Sequence, residues 1–121
     1  MNKLSKNLRI KIFKMKYKIL FTFSILFKKQ NLISCGERAI GKTRLIYKLA
    51  RKFRLPVFTN WDNLYRECDT YSPFDSIRRL TELSNKVILV DVYEMQTELE
   101  ALYFLQQRGN ILIGFKNKVI L

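Results

Sequence analysis

The 121-residue chain is 48% hydrophobic, enough for one domain with a single modest core. Its formal net charge of +13 favours acidic partners, namely nucleic acid, anionic membrane or nucleotide phosphates. With no histidine and only two cysteines, Cys35 and Cys68, it lacks the groups for histidine general-base catalysis, His-ligated zinc or a four-cysteine metal site.

The charge is concentrated early in the chain. Residues 1–30 hold nine Lys or Arg and no acid, residues 31–60 seven and one, and residues 61–121 seven and nine. Within this basic arm every odd position from 13 to 27 is apolar, while Lys14, Lys16, Lys18, Thr22 and Ser24 fall between them. Period two predicts an extended strand or ribbon that adds to a sheet. Lysines interleaved with Phe13, Tyr17, Phe21 and Phe23 also suit nucleic acid, with phosphates on the cations and bases on the rings. Peripheral membrane contact ranks below that. The apolar run at residues 19–27 is far short of the roughly 20 residues a spanning helix needs. Lys28, Lys29, Gln30 and Asn31 separate it from Leu32, Ile33, Ser34 and Cys35, so a lipoprotein signal is not expected. The two thiols are expected to be reduced, in a cytoplasmic protein.

Residues 31–35 form a short strand candidate that leads into Gly36, Glu37, Arg38, Ala39, Ile40, Gly41, Lys42 and Thr43, a full match to G-x-x-x-x-G-K-[ST]. Glycines at 36 and 41 allow backbone conformations and close approaches that a Cβ obstructs. Such a loop points successive N–H groups at phosphate oxygens, at the positive end of the helix that follows. Lys42 is placed to reach β- and γ-phosphates, and the Thr43 hydroxyl to ligate Mg²⁺. Residues 42–53 read as that helix, with Leu45, Ile46, Leu49 and Phe53 on one face and Arg44, Lys48, Arg51 and Lys52 elsewhere.

Pro56 ends the helix, and residues 57–59 form a second strand. Residues 60–74 are mixed, with a short helix candidate at 64–68, and a helix over 75–83 is expected to start near Ser72 and Pro73. Val87, Ile88, Leu89 and Val90 read as a strand buried on both faces and ending at Asp91, an acid suited to holding a metal through water. Val92 follows where an acid would activate water, so Glu94 is the nearest candidate base, or else a helix-start residue. Residues 98–107 form a helix closed by Gly109, and residues 111–113 a last buried strand. Lys116 and Asn117 are expected as solvated tail residues rather than as sensors of a γ-phosphate. Arg78, Arg79 and Arg108 have ordinary surface explanations.

Alternating strands and helices predict a parallel sheet in an α/β domain over residues 31–121, with residues 1–30 as a basic N-terminal extension. Through Gly36 to Thr43 and Val87 to Asp91 the chain resembles P-loop NTPases. More narrowly, it looks like small single-domain ATP-binding proteins of bacteriophages and prophages. The resemblance implies a three-layer sandwich around a small parallel sheet, with ATP or GTP and Mg²⁺ at the carboxyl ends of the strands. It implies nucleotide contacts from residues 36–43, metal contacts from Thr43 and Asp91, and catalytic roles for Lys42 and Glu94 in slow or partner-stimulated hydrolysis. A non-catalytic nucleotide-binding module read by an unidentified protein partner is the alternative. A small nucleoside or nucleotide kinase comes third.

Overall fold

The computed structural model describes residues 3–36, 41–60, 65 and 67–118. In chain order the elements are α1 (Lys3–Phe27), β1 (Asn31–Cys35), α2 (Lys42–Phe53), β2 (Val57–Thr59), β3 (Thr70–Tyr71), α3 (Ile77–Leu80), β4 (Val87–Tyr93), α4 (Gln96–Gln107) and β5 (Ile111–Asn117). The strands form one all-parallel sheet in the order β1-β5-β4-β2-β3.

Alternation along the buried strands divides the core in two. Leu89, Ile113 and Phe115 pack with Phe21 and Ile25 of α1 and with Leu45, Ile46, Leu49 and Ala50 of α2. Ile88, Val90, Val92 and Leu112 pack with Leu80 of α3, Leu83, and Leu102 and Leu105 of α4. Helices therefore cover both faces of the sheet. Among the described residues no helix is long and apolar enough to cross a membrane.

The basic arm corrects the sequence expectation. It is a 25-residue helix, not a strand, and it covers the sheet rather than extending it. The apparent period of two is two helical stripes interleaved. Phe13, Tyr17, Phe21 and Ile25 recur every four residues and face the core, whereas Met15, Ile19, Phe23 and Phe27 recur every four residues and are exposed. An offset of two residues turns about 200° around a helix, so two such series occupy opposite sides. Phe13, Tyr17 and Phe21 converge on Phe115, with ring centroids 5.9, 5.4 and 5.1 Å away. Three of the rings expected to stack on bases are thus engaged by the core.

Helix α3 begins later than Ser72 and Pro73 suggest. Ser72 N–H donates to Asp75 Oδ2 at 2.7 Å and Phe74 N–H to Ser72 Oγ at 3.1 Å, which favours a turn over a helix. Ser76 then caps α3, its Oγ accepting from Arg79 N–H at 3.3 Å. The expected short helix at 64–68 lies partly outside the described residues, and its described members Tyr65, Glu67 and Cys68 form bends and a turn. Strands β4 and β5 both run past their apolar cores, to Tyr93 and Asn117. Asp91 is accordingly inside β4 rather than at its end.

Candidate functional site

Register brings the candidate site together. Asp91 pairs with Phe115, Tyr93 with Asn117, and Asn117 in turn with Cys35, the last residue of β1. Asp91 and Asn117 share the strand face that points toward α2, because Asp91 lies two residues after Leu89 in β4 and Asn117 four residues after Ile113 in β5, and both Leu89 and Ile113 pack on that side. The strand before the loop, the strand bearing the acid and the polar end of β5 therefore meet at the carboxyl edge of the sheet. In an open parallel sheet that edge is the usual place for a ligand.

Gly41 is the N-cap of α2, with φ 82° and ψ 21°, a left-handed conformation that favours glycine. A Cβ there would also collide with Lys14 Cε. Gly36 is different: among the described residues a Cβ would meet nothing nearer than Lys118 Cδ at 3.9 Å. Glu37, Arg38, Ala39 and Ile40 lie outside the described residues. Lys42 is the first residue of α2, and Thr43 follows it.

Thr43 Oγ1 donates to Asp91 Oδ2 at 2.9 Å, joining residues 48 apart in sequence. Tyr65 Oη donates to the same oxygen, and Asn117 Nδ2 donates to Asp91 Oδ1 at 2.8 Å. The carboxylate is almost wholly buried, at 1% exposure, with donors from three separate parts of the chain. Burial, then the Asp91 charge and the hydrogen bond to it, push the Tyr65 phenol far above its ordinary range, against a smaller lowering effect of Thr43. Tyr65 is accordingly a neutral donor, suited to hold a charged acceptor in place.

Asn117 is buried, not a solvated tail residue. Its Nδ2 also donates to Val92 O at 3.1 Å, so both of its amide contacts are acceptors. Its Oδ1 is a buried acceptor with no donor among the described residues. A buried polar atom beside a buried carboxylate wants a donor such as a water molecule. Lys116, by contrast, is half-exposed, at the rim between β5 and α4. Glu94 follows β4, and its N–H donates to Asn117 O at 2.7 Å, which holds it beside the same edge.

Two site residues escaped the sequence reading. Tyr65 sits in a mixed polar stretch with no periodic signal. Lys14 reaches Gly41 only because the arm is a helix, and the strand reading gave no reason to place it there. Arg79, as expected, has a structural explanation: it bonds Asp75 Oδ2 at 2.8 Å and Thr70 O at 3.0 Å. Arg108 bonds Thr81 O at 3.1 Å.

Among the described residues no group of three or more His, Cys, Asp or Glu could hold a metal by itself. One hydroxyl and one carboxylate oxygen 2.9 Å apart nevertheless fit Mg²⁺, which keeps several waters and takes its remaining ligands from substrate phosphates. The donor set suits a cation that arrives with a phosphorylated ligand rather than a resident one. Neither family models, nor curated proteins, nor solved structures give a match to this chain.

Proposed function

We propose that the protein binds a nucleoside triphosphate, ATP or GTP, together with Mg²⁺, at the P-loop between β1 and α2. The observation that carries this reading is the 2.9 Å hydrogen bond between Thr43 and Asp91. Thr43 and an acid 48 residues away in a buried strand have no local reason to meet. They meet at the carboxyl edge of a parallel sheet, beside the N-terminus of a 12-residue helix. In this reading Lys42 holds β- and γ-phosphate oxygens, Thr43 contributes its hydroxyl to the cation, and Asp91 holds cation-bound water. When bound, Mg²⁺ would neutralise charge on the β- and γ-phosphates.

Glu94 is the group assigned to orient or deprotonate water for slow hydrolysis. A non-catalytic module is favoured by a different observation: Val92, immediately after Asp91, is fully buried on the opposite face of the sheet. No acid can act from that position. The two readings share the nucleotide site and differ only in whether phosphate is released with time.

Calorimetric titration with ATP and GTP, with and without Mg²⁺, tests the shared part. Lys42→Ala is expected to weaken binding about tenfold to a hundredfold, the worth of one or two charge-assisted phosphate contacts. Omission of Mg²⁺ is expected to weaken it as well. Unchanged affinity in a folded Lys42→Ala protein would falsify the proposal.

A further inference from the structure

The outer face of α1 serves neither the core nor the nucleotide site. Leu8, Ile12, Met15, Ile19, Phe23 and Leu26 follow one another at spacings of four, three, four, four and three residues, and each is more than half exposed. These spacings keep the six on one stripe, on the side of the helix away from Phe13, Tyr17 and Phe21. Lys11 and Lys18 flank the stripe along one side, and Arg9 and Lys16 along the other, all four exposed. No acid occurs in residues 1–36. An apolar strip of this length, bordered by cations, marks an interaction surface rather than a scatter of exposed side chains.

The same charge continues around the helix into a groove of about 430 Å³ between α1 and α2. Lys14, Lys18, Arg44, Lys48 and Lys52 line it over an apolar floor that includes Met15, and among the described residues no acid lines it. Met15 belongs to both the stripe and the groove, so the two form one continuous surface.

Charge selects the occupant. A second copy of this helix would set cations against cations along its whole length, with no acid to answer them. Nucleic acid would answer the cations but leave six apolar side chains in water, and the rings Phe13, Tyr17 and Phe21 are already packed on Phe115. A negatively charged bilayer surface satisfies both halves. The stripe enters the boundary between headgroups and acyl chains, while flanking Lys and Arg stems extend toward lipid phosphates. We propose that α1 docks the protein flat on an anionic lipid surface, with the α1–α2 groove receiving a lipid phosphate. At 25 residues the helix presents a contact roughly 37 Å long.

Co-sedimentation of the full chain with vesicles tests this. Vesicles of phosphatidylcholine mixed with phosphatidylglycerol are expected to retain the protein, and vesicles of phosphatidylcholine alone are not. Raising salt is expected to release it. The double variant Ile12→Asp, Ile19→Asp is expected to lose vesicle affinity by about a hundredfold or more, each isoleucine contributing at least about tenfold. Its circular dichroism spectrum should match that of the unsubstituted protein, because both side chains face solvent. Lys48→Gln with Lys52→Gln should cause a smaller loss. The proposal fails if neutral vesicles bind equally well, if neither kind binds, or if the Ile12→Asp, Ile19→Asp protein binds undiminished. It also fails if a single-stranded oligonucleotide displaces the protein from vesicles and binds the double variant equally well, or if the stripe instead forms a dimer that the variant dissolves.

Discussion

Helices α1 and α2 pack on the same face of one sheet, yet α2 has a single apolar side and α1 has two. In α2 the buried set is Leu45, Ile46, Leu49 and Ala50, while Arg44, Lys48, Arg51 and Lys52 are exposed. Folding accounts for its one apolar side. In α1 the column of Phe13, Tyr17, Phe21 and Ile25 meets the core, and an equally apolar series faces away from it. The core explains the first and has no use for the second. Apolar surface that a fold leaves exposed over most of a long helix is where a requirement other than folding is written.

Three substitutions separate these roles, in decreasing order of expected effect on stability. Phe115 is fully buried and receives three rings of α1, so Phe115→Ala should cost about 3–5 kcal/mol in urea denaturation. A loss under about 1 kcal/mol would mean that α1 does not depend on the sheet and that its two faces are not distinct.

Tyr65→Phe should cost less, about 1–3 kcal/mol, because it removes one of the two donors to Asp91 Oδ2 and leaves that oxygen to Thr43. The cost should depend on pH. Burial first, and the Asp91 charge next, raise the Tyr65 phenol, so the folded chain keeps a proton that the unfolded chain releases above about pH 10. The associated stability is complete below that pH and declines as pH rises beyond it. Urea titrations across the alkaline range should show a shallower decline for Tyr65→Phe than for the unsubstituted protein. Identical slopes would show that the phenol is not held above its ordinary range.

The smallest effect is expected at Ile19→Asp, within about 0.5 kcal/mol of the unsubstituted stability. That residue is 52% exposed on the outer stripe. A cost comparable to that of Phe115→Ala would erase the distinction between the two faces of α1.

The contrast also explains what was legible in the chain. Residues 31–35 and 42–53 could be read closely because a short apolar strand and a helix with one polar side are patterns that period analysis is built to detect. The arm misleads the same analysis, since two stripes spaced every four residues and offset by two imitate a strand. At β4 and β5 the apolar runs mark where strands exist but not where they stop. Asp91 stays in register because its side chain turns toward Thr43 while Val92 fills the other core. Gly114 sits inside β5 because a Cβ there would collide with the Val90 carbonyl oxygen, so it is a point of close approach and not a break. Asn117 and Tyr65 carry no local signal at all. Their importance comes from partners 26 residues away, and only register and a described loop position reveal it.

One feature of the sheet bears on how the protein reaches this arrangement. Strand β1 lies at an edge and, among the described residues, pairs only with β5, Asn31 opposite Ile113. No other strand pairing encloses so long a stretch of chain, and since all are parallel none is shortened by a tight turn. Chain closure is entropically costly before any contact compensates it, and the cost grows with the length enclosed. Among the strand pairings, the one that sets Cys35 opposite Asn117 thus carries the largest kinetic burden in folding.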